Sequence, residues 1–300
     1  MPTPKYDPPK IYRFGGAGND WCFVYLPRGY DPERAEPYPF VICNHGNGWT
    51  MDGTPQKANW TKRTMYLPAD DPDLLNAPDQ YTACDDSAAW YRNPTVDAFL
   101  ASGYIVCGAQ NHADQLYGNE DCRTACAAFY NHMVNTYHVR PRCHMIGASN
   151  GAMTTLNTVY LLGERVESVI LQYPLTCLEA QYMAYPPHRE AIERTHGVTA
   201  RQITEGIFRK ERREFDPLYA NVENGIKTGY FPRTMILYST TDTVVPCESN
   251  GLLLADLLQK SGKTVRLIQA DTDGKTHEHG DPAHFRPEEF VRWVQGEADA

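Results

Sequence analysis

Short apolar runs recur along this 300-residue chain and alternate with longer, helix-like stretches. Eight runs have strand length and strand composition: Ile11–Phe14, Trp21–Leu26, Phe40–Asn44, Tyr104–Ala109, Cys143–Ala148, Ser168–Tyr173, Thr234–Ser239 and Thr264–Gln269. The first two lie close together, which predicts an antiparallel start. The later ones are spaced by helix-length segments, the pattern of parallel strands joined by right-handed crossovers. Helices are expected over Ser87–Ser102, Asp121–Tyr137, Asn150–Leu162, Glu248–Ser261 and Pro287–Gln295. The order predicts one α/β domain over residues 1–300, with a mostly parallel eight-stranded sheet and helices on both faces. Two stretches break the rhythm. Residues 49–86 are rich in Pro, Asp and Asn and read as a long irregular loop. Residues 175–230 far exceed an ordinary crossover and read as a lid-like insertion. Its charged run Arg209–Glu214 reads as a solvated helix face.

Composition narrows the partners. A hydrophobic fraction of 42% can fill a substantial core, and the net charge of −9 disfavours a nucleic acid or an anionic membrane as the main partner. No apolar run approaches the ~20 residues that cross a bilayer. The first ten residues lack the apolar stretch of a signal peptide. There are nine cysteines, an odd number without a C-x-x-C pair, and several fall in apolar runs (Cys22, Cys43, Cys107, Cys143). That pattern predicts buried free thiols and a cytoplasmic setting; an exported protein stripped of its leader, with disulfides in 84–126, is the alternative.

Candidate chemistry centres on Gly147-Ala148-Ser149-Asn150-Gly151. The pentapeptide follows an apolar run and precedes a helix-like one, so it reads as a nucleophile elbow: a serine on a sharp turn that leaves no room for a Cβ two residues before or after. A serine needs a base, and the base an orienting carboxylate. Asp242, in Thr240-Thr-Asp-Thr-Val-Val-Pro246, falls at the end of the seventh strand. Beyond the eighth comes Thr276-His-Glu-His-Gly-Asp-Pro-Ala-His284. His279 is the expected base, with His277 and His284 as alternatives. The same cluster, with Asp281, has the residue types of a zinc site, but no second group of ligands stands nearby in sequence and the triad accounts for a histidine here without metal. Asn44-His45-Gly46-Asn47-Gly48 ends the third strand in H-G-x-G, which points to an oxyanion hole from the backbone N–H of Asn47, with Gly48 as substitute, and that of Asn150. His45 is expected to orient this loop. Gly15–Gly18 reads as a hairpin turn, and His112 is placed near the rim of the site.

Together these motifs resemble the α/β-hydrolase superfamily from about residue 40 to the C-terminus. Ser-Asn-Gly at the elbow is similar to feruloyl esterases and polyhydroxybutyrate depolymerases, and Asp-x-x-Val-Pro to prolyl-oligopeptidase-like enzymes. Ala152 departs from the commoner S-x-G-G elbow. The resemblance implies a serine esterase acting on a small-molecule ester through an acyl-enzyme, without a cofactor. A peptidase of the same fold, whose branch usually carries an extra N-terminal domain, and a catalytically silent binding protein are the rivals.

Overall fold

The structure, a computed structural model, describes residues 10–15, 20–46, 94–111, 117–219 and 229–297. The predicted loop 49–86, and Asn47, Gly48 and His112, lie outside them. Eight strands form one sheet: β1 Lys10–Phe14, β2 Asp20–Tyr25, β3 Phe40–Asn44, β4 Ile105–Ala109, β5 Cys143–Ala148, β6 Val166–Gln172, β7 Arg233–Tyr238 and β8 Val265–Gln269. Their order is β1-β2-β4-β3-β5-β6-β7-β8. β1 and β2 pair antiparallel, β2 pairs antiparallel with β4, and every other pairing is parallel. β3 is flanked by β4 on one side and β5 on the other, so the chain reverses its direction of travel across the sheet there. The crevice outside the carboxyl ends of strands at such a point is where open α/β sheets bind ligands.

Alternation along each strand divides the core. Phe40, Ile42, Met145 and Leu171 face α2 (Glu120–Thr136), α3 (Gly151–Leu162) and α7 (Gly251–Lys260), packing with Phe129, Leu156 and Leu254. Val41, Cys43, Ile146 and Ile170 face α1 (Pro94–Ala101) and α8 (Pro287–Gln295), packing with Phe99 and Phe290. Because both faces are covered, β3, β4 and β5 are buried at every residue, which explains their near-continuous apolar sequence. The edge strand β8 is only partly buried throughout, apart from its exposed Leu267.

Predicted strand boundaries fall within two residues of the observed ones. The helix expected over Glu248–Ser261 is divided: a 3-10 turn, Cys247–Ser249, gives way at Asn250 to α7. Asn250 uses its side-chain oxygen to accept the N–H groups of Thr176 and Cys177, which ties the turn to the segment after β6. The insertion is helical, with α4 (Leu178–Ala184), α5 (Arg189–His196) and α6 (Ala200–Thr204). Leu178, Ile192, Ile203 and Phe208 form an apolar centre that also takes in Met153 of α3 and Val245 of the β7 loop. The charged run is not one helix face. It folds into 3-10 turns, Ile207–Arg209 and Arg213–Phe215, and Arg209 reaches back to the buried carboxylate of Glu179.

Candidate active site

Ser149 follows β5 directly, with a backbone φ of 52°. A non-glycine residue is strained in that region and is held there only by its surroundings. Here its N–H donates to the carbonyl of Gln172 (3.0 Å), and its own carbonyl accepts from Ala152 (3.0 Å) and Leu175 (3.1 Å). The flanking glycines do what the sequence pattern requires of them. A Cβ on Gly147 would lie 2.5 Å from Thr155 Oγ1 and 2.6 Å from the carbonyl oxygen of Gly151. One on Gly151 would collide with the Asn44 carbonyl and lie 2.7 Å from that of His45. The elbow is therefore wedged against the end of β3, and the Asn44 amide bonds Thr155 Oγ1 (2.9 Å) across the same contact.

Sheet order does the rest. β5, β6, β7 and β8 are neighbours, so the loops at their carboxyl ends converge. Asp242, after β7, accepts the N–H groups of Val244 and Val245 on Oδ1, both at 2.9 Å. Its other oxygen is 2.7 Å from Nδ1 of His279, and Nε2 of His279 is 2.8 Å from Ser149 Oγ. An ionised carboxylate can only accept, so Nδ1 carries the proton and Nε2 presents its lone pair to the serine hydroxyl. The Asp242 side chain is 2% exposed and that of His279 17%, so the carboxylate is sealed off while the imidazole keeps an open edge.

Of the three imidazoles offered by the sequence, only His279 makes this connection. His284 is fully buried, donates from Nδ1 to the Asp281 carbonyl (3.0 Å) and packs edge-on to Tyr173, with centroids 5.0 Å apart. His277 lies between two carboxylates, Asp273 and Asp281. Among the described residues no three His, Cys, Asp or Glu side chains are grouped to hold a metal ion. Asn150 is buried immediately before α3, and Asn47 lies outside the described residues. Both ring nitrogens of His45 sit 3.0 Å from carbonyl oxygens, those of Gly46 and Gln110, which makes it a brace of the β3 loop.

No family model and no curated protein matches this chain. Solved structures do. Pyrococcus horikoshii acylaminoacyl peptidase superposes with a TM-score of 0.64 at 15% identity, over 97% of this chain and 42% of its own. A puromycin-hydrolyzing peptidase of Mycobacterium tuberculosis gives 0.63 at 16%, over 96% and 38%. Carboxyl esterase 2 of the fungus Tuber melanosporum gives 0.60 at 16%, over 99% and 87%. The chain has the α/β-hydrolase fold. It spans about two fifths of the length of the two peptidases and most of that of the esterase.

Within this α/β-hydrolase fold one residue at the site carried no signal in the sequence. Tyr173, directly after β6, has φ 38° and sits edge-on to His279, with ring centroids 4.8 Å apart. It makes edge-on ring contacts with both His279 and His284, tying the end of β6 to the loop after β8. In sequence it is only the last aromatic of an apolar run. Eight cysteines are described, all free and buried. Burial pushes the Cys122 and Cys177 thiols up to about 12, so neither presents a thiolate near neutrality.

Proposed function

We propose that this chain is a serine hydrolase that cleaves a small carboxylic ester through an acyl-enzyme. The observation that carries the reading is the unbroken hydrogen-bonded line from Asp242 through His279 to Ser149. Ser149 Oγ adds to the ester carbonyl carbon while its proton passes to Nε2 of His279. The imidazolium that forms is held by Asp242, which stays ionised. The carbonyl electron pair moves onto oxygen, where the backbone N–H groups of Asn150 and Asn47 receive it; losing one such donor typically raises the barrier by about 3 kcal/mol. Collapse expels the alcohol, which takes the proton from His279. A water molecule then adds by the same route, its proton going to His279, and the carboxylic acid leaves as Ser149 recovers its own. The steps call on no cofactor.

Replacing Ser149 by Ala abolishes hydrolysis of a p-nitrophenyl ester while leaving the circular dichroism spectrum unchanged; retained turnover would refute the nucleophile. A fluorophosphonate labels the parent at Ser149, and absence of label would favour a silent binding protein. A second reading, peptidase activity, is favoured by the names of two of the similar structures. Hydrolysis rates of a matched ester and amide separate the two. The described part of the insertion over 175–230, whose apolar centre takes in Met153 and Val245, supports a lid that selects the substrate. Buried free thiols support a reducing compartment, and the acidic balance supports neither a nucleic acid nor a membrane as partner.

A further inference from the structure

The loop that delivers His279 leaves the sheet from its partly buried edge strand, and most of residues 272–278 are exposed. Little apolar burial fixes it. Polar contacts take over, and they gather on His277. The Thr241 hydroxyl, one residue before Asp242, accepts the His277 N–H (3.0 Å), donates to the His277 carbonyl (3.2 Å) and pairs with Ser239 Oγ (2.8 Å). A hydroxyl has one proton and two lone pairs, and all three are used here. Thr243 adds a bond to Glu278 (3.1 Å). The His277 ring meanwhile spans the loop, with Nε2 2.9 Å from Asp273 Oδ1 and Nδ1 3.0 Å from Asp281 Oδ1. Those carboxylate oxygens also accept the N–H groups of Lys275 and Ala283. Both ring nitrogens face acceptors, so only the doubly protonated imidazolium satisfies both contacts.

We propose that His277, as an imidazolium clasped between Asp273 and Asp281, is a positioning residue that holds His279 in line with Asp242 and Ser149, and that loss of its proton in alkaline solution releases the base. The proposal rests on the serine-hydrolase reading of the triad. A neutral ring would turn a lone pair toward one carboxylate, opening the loop on either side of residue 279. Bonds to Asp273 and then Asp281 raise His277 above its ordinary value against its burial, which favours the charged ring that the two acceptors call for. The other titratable groups around it are Lys275, paired with Asp273, Glu278, bonded to Thr243, and His284, which burial holds below the ordinary imidazole range. The facing β7 loop presents neutral Thr241 and Thr243, with Asp242 turned to His279.

The pH profile of kcat distinguishes this role from bulk structure. The parent is expected to lose activity on the alkaline side. His277→Gln should lower kcat about tenfold, the order expected for a lost charge-assisted bond, leave KM within twofold, and abolish the alkaline fall. His277→Arg, permanently charged, should restore most of kcat and also lack the fall. Asp273→Asn should move it to lower pH. The ¹⁵N spectrum of the parent should show His277 protonated on both nitrogens at pH 7, a readout independent of turnover. A neutral ring there, or a His277→Gln profile matching the parent, overturns the proposal. Failure of the fluorophosphonate to label Ser149 overturns the hydrolase reading instead, and the spectrum still reports on the clasp.

Discussion

Gly147 and Gly151 bracket the serine, and each has an oxygen atom where its side chain would begin. At Gly151 the obstacle is the Asn44 main chain, which cannot rotate aside as a side chain could. Gly151→Ala should therefore lower the free energy of unfolding by about 3 kcal/mol, the upper end for overpacking, and weaken labelling of Ser149. Gly15→Ala, with open space around it, should stay within about 0.5 kcal/mol of the parent in the same urea titration. The glycines, Ser149 and Asp242 were legible in the sequence because their chemistry demands a fixed place at a strand end. The candidate base was not separable from its neighbours, since three imidazoles follow one strand within eight residues. What separates them is three-dimensional: Tyr173 packs against His284, two carboxylates hold His277, and His279 is left to meet the serine.

Helix α3 is buried at ten of its twelve positions, so even its polar side chains must find partners inside. The Asn157 amide donates to the carbonyls of Gly118 (2.7 Å) and Phe215 (2.9 Å), joining the helix behind Ser149 to the insertion. Asn157→Leu keeps the volume and strands both acceptors. Chemical denaturation should show a loss of about 2–4 kcal/mol, since each buried group left without its bond costs about 1–3 kcal/mol. The sheet was legible because burial on both faces forces apolar runs of strand length. The insertion was not. Its helices are five to eight residues long, too short to show a clear period, and are set by local devices such as the Thr199–Gln202 capping box and by the apolar centre they share.

Over the whole molecule, buried imidazoles set the response to acid. Burial, helped by Arg233, pushes His144 down to about 3, where it remains neutral against Ser168 Oγ. His196 is lowered to about 4 by burial, and His188 to about 4 by burial and then by the charge of His279. Each ring is neutral in the folded chain and charges on unfolding, so its stabilisation is complete above about 6.5 and declines as pH falls toward the folded values. Asp216 acts in the opposite sense. Burial lifts it to about 7 against the N–H groups of Leu178 and Leu218, so it takes up a proton while folded and partly offsets one histidine. The two buried imidazoles, His144 and His196, against one carboxylate give a net slope of up to about 1.4 kcal/mol per pH unit between pH 6 and 5, to which the partly exposed His188 adds a smaller share. Urea midpoints measured at pH 7.5 and pH 5 should differ accordingly; equal midpoints would mean that these rings are already charged in the native state.

The apolar centre of the insertion does not stop at its own helices. Met153 stands four residues beyond the serine and Val245 three beyond Asp242, and both are packed into it. Packed in this way, the described helices of the insertion are joined to the turns at both strand ends. An exchange at Ile192 or Phe208 therefore reaches, through contiguous side chains, the turns that carry Ser149 and Asp242.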